Sequence, residues 1–175
     1  MAERPLSRRD LLTFWRKREL PTVPRAALRP PGAIAEAQLL EQCIRCGQCI
    51  DICPAEAIVA LDAPGKAFGT PIVRPRQQAC VLCNGLQCTQ TCPSGALRPL
   101  RFHHEVQMGT AIVDGEACRL AKGERCDRCV TECPVPSAIA IVEGRVVVDA
   151  RVCVGCGACE QHCPTEPSSI RVVPR

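Results

Sequence analysis

Cys43-Ile44-Arg45-Cys46-Gly47-Gln48-Cys49-Ile50-Asp51-Ile52-Cys53-Pro54 sets four cysteines in C-x2-C-x2-C-x3-C order with a proline directly behind the last. This is the ligand spacing of bacterial 4Fe–4S ferredoxins, in which one loop wraps three thiolates around a single object. The pattern returns at the other end of the chain as Cys153, Cys156, Cys159 and Cys163-Pro164. Between them lie two variants, Cys80, Cys83, Cys88, Cys92-Pro93 and Cys118, Cys126, Cys129, Cys133-Pro134. All 16 cysteines of the 175-residue chain fall into these quartets, which at four per cluster predicts four 4Fe–4S clusters with no thiol left over.

Other uses of cysteine fit less well. A disulfide needs two Cβ atoms facing each other, usually across a loop, rather than three cysteines on one turn of chain. Zinc sites mostly pair one C-x2-C with a distant second pair or with histidines. With three Phe, one Trp and no Tyr, the chain cannot build an ordinary aromatic core. The metal centres are therefore expected to supply folding energy as well as chemistry. The formal charge of +4 counts every cysteine as neutral. Four oxidised clusters with their thiolates add about −8, leaving the loaded protein near −4 by this estimate, so the basic pI is no argument for a nucleic-acid partner. No run of eighteen apolar residues exists that would span a membrane.

The first cysteines of the quartets, Cys43, Cys80, Cys118 and Cys153, recur roughly every 37 residues, an internal repeat. A short apolar segment follows each Cys-Pro: Ala57-Ile58-Val59, Ala96-Leu97, Ala138 to Val142, and Ile170 to Val173. A second precedes the next quartet: Pro71-Ile72-Val73, Thr110 to Val113, and Val146-Val147-Val148. Glu143-Gly144 between two β-branched runs reads as a hairpin turn. Each unit thus reads as a cysteine loop, a helical turn through C-x3-C, and a hairpin to the next loop. The predicted fold is α+β: two tandem ferredoxin-like dicluster modules, over 37–115 and 116–175, with short hairpins and helical turns.

The fourth cysteine of a quartet ordinarily serves the cluster of its partner quartet. Sequential pairing would group Cys43, Cys46 and Cys49 with Cys92; Cys80, Cys83 and Cys88 with Cys53; Cys118, Cys126 and Cys129 with Cys163; and Cys153, Cys156 and Cys159 with Cys133. Nested pairing would join the first quartet to the fourth and the second to the third. The hairpin-length gaps lean toward the sequential arrangement without deciding it.

Residues 1–36 differ in kind. Pro5, Pro21, Pro24, Pro30 and Pro31 predict an extended arm around one short amphipathic helix, which starts near Ser7 with Asp10 three residues on. Leu11, Leu12, Phe14 and Trp15 form an apolar side and Arg16, Lys17 and Arg18 a basic one, a helix that packs on the body or binds a partner. Ser7-Arg8-Arg9-Asp10-Leu11-Leu12 resembles a twin-arginine export signal. The charged run that follows offers no apolar stretch of the length such a signal needs, so a cytoplasmic location is expected, with the periplasm as the alternative.

From Leu28 onward the chain resembles the NapG/MauM group of polyferredoxins. The resemblance rests on Arg29-Pro30-Pro31-Gly32-Ala33-Ile34, Cys43 to Cys49, Cys92-Pro93-Ser94-Gly95-Ala96-Leu97, Met108 to Val113 and the long loop of the third quartet. It implies a protein that passes electrons from quinol toward a terminal reductase, with a redox partner that is a reductase catalytic subunit or a quinol-oxidising membrane complex. The N-terminus departs from that group. Ser7-Arg8-Arg9 running into Trp15-Arg16-Lys17 looks more like the cytoplasmic NapF-type ferredoxin, which implies a role in maturing a molybdenum or iron–sulfur reductase before export.

No nucleotide loop, zinc-protease helix or nucleophile elbow appears, and no iron is left open for substrate, so no catalytic residue is expected. His103, His104 and His162 read as solvent-facing loop and spacer residues rather than ligands. The two extra residues in Cys83-Asn84-Gly85-Leu86-Gln87-Cys88 are expected to bulge that loop. Arg119, Lys122 and Arg125 surround the single anion Glu124 between Cys118 and Cys126, and positive charge favours a reduced cluster. The cluster at this loop is therefore expected to have a higher potential than the one at Cys153, Cys156 and Cys159.

Overall fold

The computed structural model describes residues 27–175. The arm helix and twin arginine lie outside the described residues. The described part of the arm is built into the body: Leu28, Arg29, Pro30 and Pro31 are buried. Leu28 accepts the Val73 amide at 2.8 Å. Arg29 forks onto the Glu36 carboxylate at 2.8 and 2.5 Å and also donates to Thr70 Oγ1 and the Pro71 carbonyl, both at 2.9 Å. A buried guanidinium is tolerable because its donors are so fully engaged.

The described residues form five short α-helices: α1 (Glu36–Gln42), just before the first cysteine, and α2 (Gln48–Asp51), α3 (Gln87–Gln90), α4 (Arg128–Thr131) and α5 (Ala158–Gln161). Four of them are single turns, below the length at which a helix holds itself in water. Each single turn carries the third cysteine of a quartet, so the loop before it and the Cys-Pro after it define its ends.

Six strands make three two-stranded antiparallel sheets: β1 (Ile58–Ala60) with β2 (Pro71–Val73), β4 (Ile139–Val142) with β5 (Arg145–Val148), and β3 (Gly109–Val113) with β6 (Ile170–Pro174). The hairpin expected at Glu143-Gly144 forms, with positive φ of 49° and 73° at the two turn residues. The hairpin expected between Ala96-Leu97 and Thr110 to Val113 does not. Leu97 bridges back to Ala33, and β3, which the sequence reading assigns to the first module, pairs with the last strand of the second. Each module therefore closes by joining its entry to its exit, with the hairpin inside.

Two glycines make those closures possible. A Cβ on Gly32 would strike the Arg98 carbonyl, and one on Gly109 would strike the Val173 carbonyl. Arg98 donates its amide to Gly32 O at 2.7 Å. One contiguous core runs through both modules, including Ile58, Leu86, Leu97, Val106, Met108, Val154, Ile170 and Val172. Leu39 and Ala96 form a smaller cluster with Cys43.

Candidate iron–sulfur sites

Four cavities are each lined by four cysteines. The first cage holds Cys43, Cys46, Cys49 and Cys92. The second holds Cys53, Cys80, Cys83 and Cys88. The third holds Cys118, Cys126, Cys129 and Cys163, and the fourth holds Cys133, Cys153, Cys156 and Cys159. These are the sequential groupings; the nested groupings are not formed. Hairpin closure inside each module is the physical reason, because it returns the fourth cysteine of one quartet to the loop of its neighbour.

The donor set suits a cluster and nothing smaller. All sixteen cysteines are unbridged. Among the described residues, no three His, Cys, Asp or Glu side chains converge on a point that would suit a single metal ion. Four sulfurs that ring a space rather than meet are what a multi-iron core needs, whereas tetrahedral zinc needs them to meet.

Burial sets the thiol chemistry. It pushes Cys49 up to about 11, with the charges of Cys43, Cys92 and Cys46 adding to the rise. It pushes Cys80 and Cys88 to about 12 and Cys129 to about 11. Cys159 is driven upward by burial and by its cage mates Cys156, Cys153 and Cys133. Cys163 behaves in the opposite way. Burial raises it too, but hydrogen bonds from Ser169, Thr165 and Ser168 outweigh that and bring it down to about 6. Thr165 Oγ1 lies 3.1 Å and Ser169 Oγ 3.3 Å from its sulfur.

Backbone amides serve other sulfurs: Ala57 N on Cys53 at 3.3 Å, Leu97 N on Cys92 at 3.4 Å, and Ala111 N on Cys153 at 3.5 Å. Ser94 Oγ stands 3.6 Å from Cys92. The two hydroxyl residues that follow a Cys-Pro, Ser94 and Thr165, were detectable in sequence as Cys-Pro-Ser and Cys-Pro-Thr. Ser169 and Arg76 had no such signal.

The cages are neighbours. Cys49 of the first bears on the charge of Cys88 in the second, and Cys129 of the third on Cys159 in the fourth. Between modules, Cys80 N–H donates to the Cys156 carbonyl at 3.0 Å, joining the second cage to the fourth. The row is therefore first, second, fourth, third, which differs from chain order. Arg76 reinforces the junction. Its guanidinium donates to the carbonyls of Glu160 at 3.1 Å, Gln161 at 3.4 Å, Cys163 at 2.8 Å and Thr165 at 3.1 Å, and to the Glu166 carboxylate at 2.5 Å.

Of the remaining predicted features, the three histidines fall outside the cages. His103 and His104 lie in an exposed 3-10 turn, where His104 stacks on Phe102 with centroids 5.4 Å apart. His162 Nε2 is 3.9 Å from Glu132. Arg119 borders the third cage and pairs with Glu124 at 3.6 Å. Among the described residues, no helix is long and apolar enough to cross a membrane.

Fold and site together define a tandem dicluster protein of the ferredoxin type. Residues 42–96 and residues 110–164 each match a 4Fe-4S dicluster domain, and two such domains at two clusters each give four 4Fe–4S clusters. The chain is 38% identical over 170 residues to a methylamine utilization ferredoxin-type protein, MauM, of Methylobacillus flagellatus, covering 90% of this chain and 73% of that one. It is 39% identical over 162 residues to the ferredoxin-type protein NapG of Escherichia coli, covering 84% and 70%. MauM of Methylophilus methylotrophus is 36% identical over 98% of this chain and 83% of its own. The chain belongs to the NapG/MauM family of ferredoxin-type proteins.

Proposed function

We propose that this chain is an electron-transfer protein without a substrate site of its own, and that its sixteen cysteines are thiolate ligands to iron in the four cages described above. It serves a respiratory system of the nitrate-reductase type or a related redox enzyme. A 4Fe–4S cluster supplies one-electron chemistry when bound, with a potential set by hydrogen bonds to sulfur, local charge and solvent access. The chain's own contribution is to hold these centres in neighbouring cages that form a row, partly shielded from water. That row, with its Cys80–Cys156 link between modules, is the observation that carries the reading.

The pairing of β3 with β6 supports starting the second module near residue 108 rather than at 116. The part of the arm before Leu28 is the segment that engages the partner, a reductase subunit or a quinol-oxidising membrane complex, since Leu28 to Pro31 are buried in the body. The charged run after Arg8-Arg9 supports a cytoplasmic location over a periplasmic one.

A second reading, maturation of a reductase before its export, is favoured by the NapF-like start at Ser7-Arg8-Arg9. Potentiometric EPR on the purified holoprotein, with iron counted before and after a native partner is added, separates the two. Reversible reduction with iron retained supports electron transfer. Iron delivered to the partner, or stable capture of a metal-free reductase precursor, supports maturation. Fractionation of cells carrying a tagged full chain tests location, and recovery chiefly from the periplasm would overturn the cytoplasmic assignment.

A further inference from the structure

The surroundings of the four cages are unequal in a way that the repeat does not foretell. In the third cage the Cys163 sulfur faces two hydroxyls, Thr165 Oγ1 at 3.1 Å and Ser169 Oγ at 3.3 Å. The first cage has one hydroxyl, Ser94, at 3.6 Å and the backbone amides of Leu97, at 3.4 Å, Ser94 and Ala96 on Cys92. The second cage has backbone amides, Ala57 N on Cys53 at 3.3 Å and Leu82 N on Cys80. In the fourth, Cys153 takes the Ala111 amide at 3.5 Å, Cys156 the amides of Ala158 and Gly157, and Cys133 that of Val135, whose carbonyl also lies 3.4 Å from the sulfur; no hydroxyl meets a sulfur there among the described residues.

Charge points the same way. Arg76 reaches across from the other module and places a guanidinium 2.8 Å from the Cys163 carbonyl. Four backbone carbonyls and one carboxylate hold it there, so it is fixed rather than mobile. Arg76 and Arg119 are each paired with a carboxylate, Glu166 and Glu124, but Arg76 is also anchored by four carbonyls beside Cys163, whereas Lys122 and Arg125 of the Cys118–Cys126 loop are exposed and screened by water and salt. Reduction adds negative charge to a cluster and its thiolates. Donors aimed at sulfur and a nearby cation stabilise the reduced form and raise the potential.

We propose that the third cage, Cys118, Cys126, Cys129 and Cys163, holds the most easily reduced of the four clusters, and that Ser169, Thr165 and Arg76 are the positioning residues that make it so. The proposal rests on the ligand assignment given under Proposed function. It refines the expectation drawn from the Cys118–Cys126 loop by moving the cause from that loop to the far side of the cage.

Potentiometric EPR on the holoprotein tests it. Cys118→Ser marks the cage by changing the signal of its own cluster, and the component that changes is expected to be the one with the highest midpoint. Ser169→Ala and Arg76→Gln are expected to lower that midpoint and leave the other three in place. Thr165→Ser, which keeps the hydroxyl, is expected to leave it unchanged. Glu166→Gln removes the anion paired with Arg76 and is expected to raise it, an opposite sign that loss of packing would not produce. The proposal is overturned if the marked component is not the highest, or if the variants shift all four midpoints together or none. Wild-type protein purified without iron would overturn the ligand assignment as well, whereas four titrating clusters in the wrong order would leave that assignment standing.

Discussion

At the residue scale the cysteines are the main actors, and their protonation decides when a cage can be filled. Iron binds thiolate, so every buried thiol must lose its proton on loading. Burial holds Cys49, Cys80, Cys88 and Cys129 near 11 to 12 in the metal-free cages, so they are protonated at neutral pH until iron displaces the proton. The sign follows. Loading releases protons, affinity for iron falls as pH falls, and the stability contributed by the clusters is lost on acidification. Iron retained after incubation at a series of pH values should drop on the acid side and hold on the alkaline side to about pH 9. A flat profile would contradict the account. Cys163, already near 6, is expected to contribute less to proton release during reconstitution at neutral pH than Cys49, Cys80, Cys88 and Cys129.

At the element scale, the helices and strands are too short to stand alone. Single-turn helices and sheets of three to five residues per strand lack the length for independent stability. Removing iron with a chelator under reducing conditions should therefore abolish far-UV circular dichroism structure, not merely bleach the visible absorption. Retained secondary structure in the iron-free protein would show that the apolar core suffices by itself.

The same shortness explains what could be read beforehand. The cysteine loops and the hairpin at Glu143-Gly144 carry their information locally, in spacing and turn chemistry, and both were legible. The β3–β6 pair was not. Thr110 to Val113 has the same apolar character whether its partner is Leu97 nearby or Val172 far along the chain. The choice is made by Gly109, whose missing Cβ lets the Val173 carbonyl approach. Gly109→Ala should force that contact apart and destabilise the second module by about 1–3 kcal/mol, as overpacking of a close contact does. Thermal loss of the visible cluster absorption in the variant, compared with wild type, measures it. Arg76 was equally illegible, since its acceptors lie 84 to 90 residues away and no local pattern announces a contact of that kind.

At the scale of the whole molecule, sequential pairing and the contact between the second and fourth cages turn a linear repeat into a row with distinct ends. Gly157 shows how tightly the modules meet, for a Cβ there would fall 2.5 Å from Pro75 Cβ. The fourth cage, inside the row, has buried Cys156 and Cys159. The first cage, at one end, contains Cys46, the one exposed cysteine of the sixteen, flanked by Ile44 at 63% exposure. Arg45 stiffens this end by donating to the carbonyls of Phe68 at 2.9 Å, Lys66 at 2.7 Å and Cys43 at 3.0 Å, so the exposure belongs to a fixed loop. Access governs which cluster meets an oxidant first, because attack needs contact with the iron–sulfur edge. Graded oxidation of the holoprotein with ferricyanide should therefore damage the first cage before the others. In wild type, the 3Fe–4S EPR signal that appears earliest is expected to vanish or change in a Cys46→Ser variant and to persist unchanged in a Cys156→Ser variant. If the earliest signal instead follows Cys156, the buried cage is the vulnerable one, and the first cage is not the open end of the row.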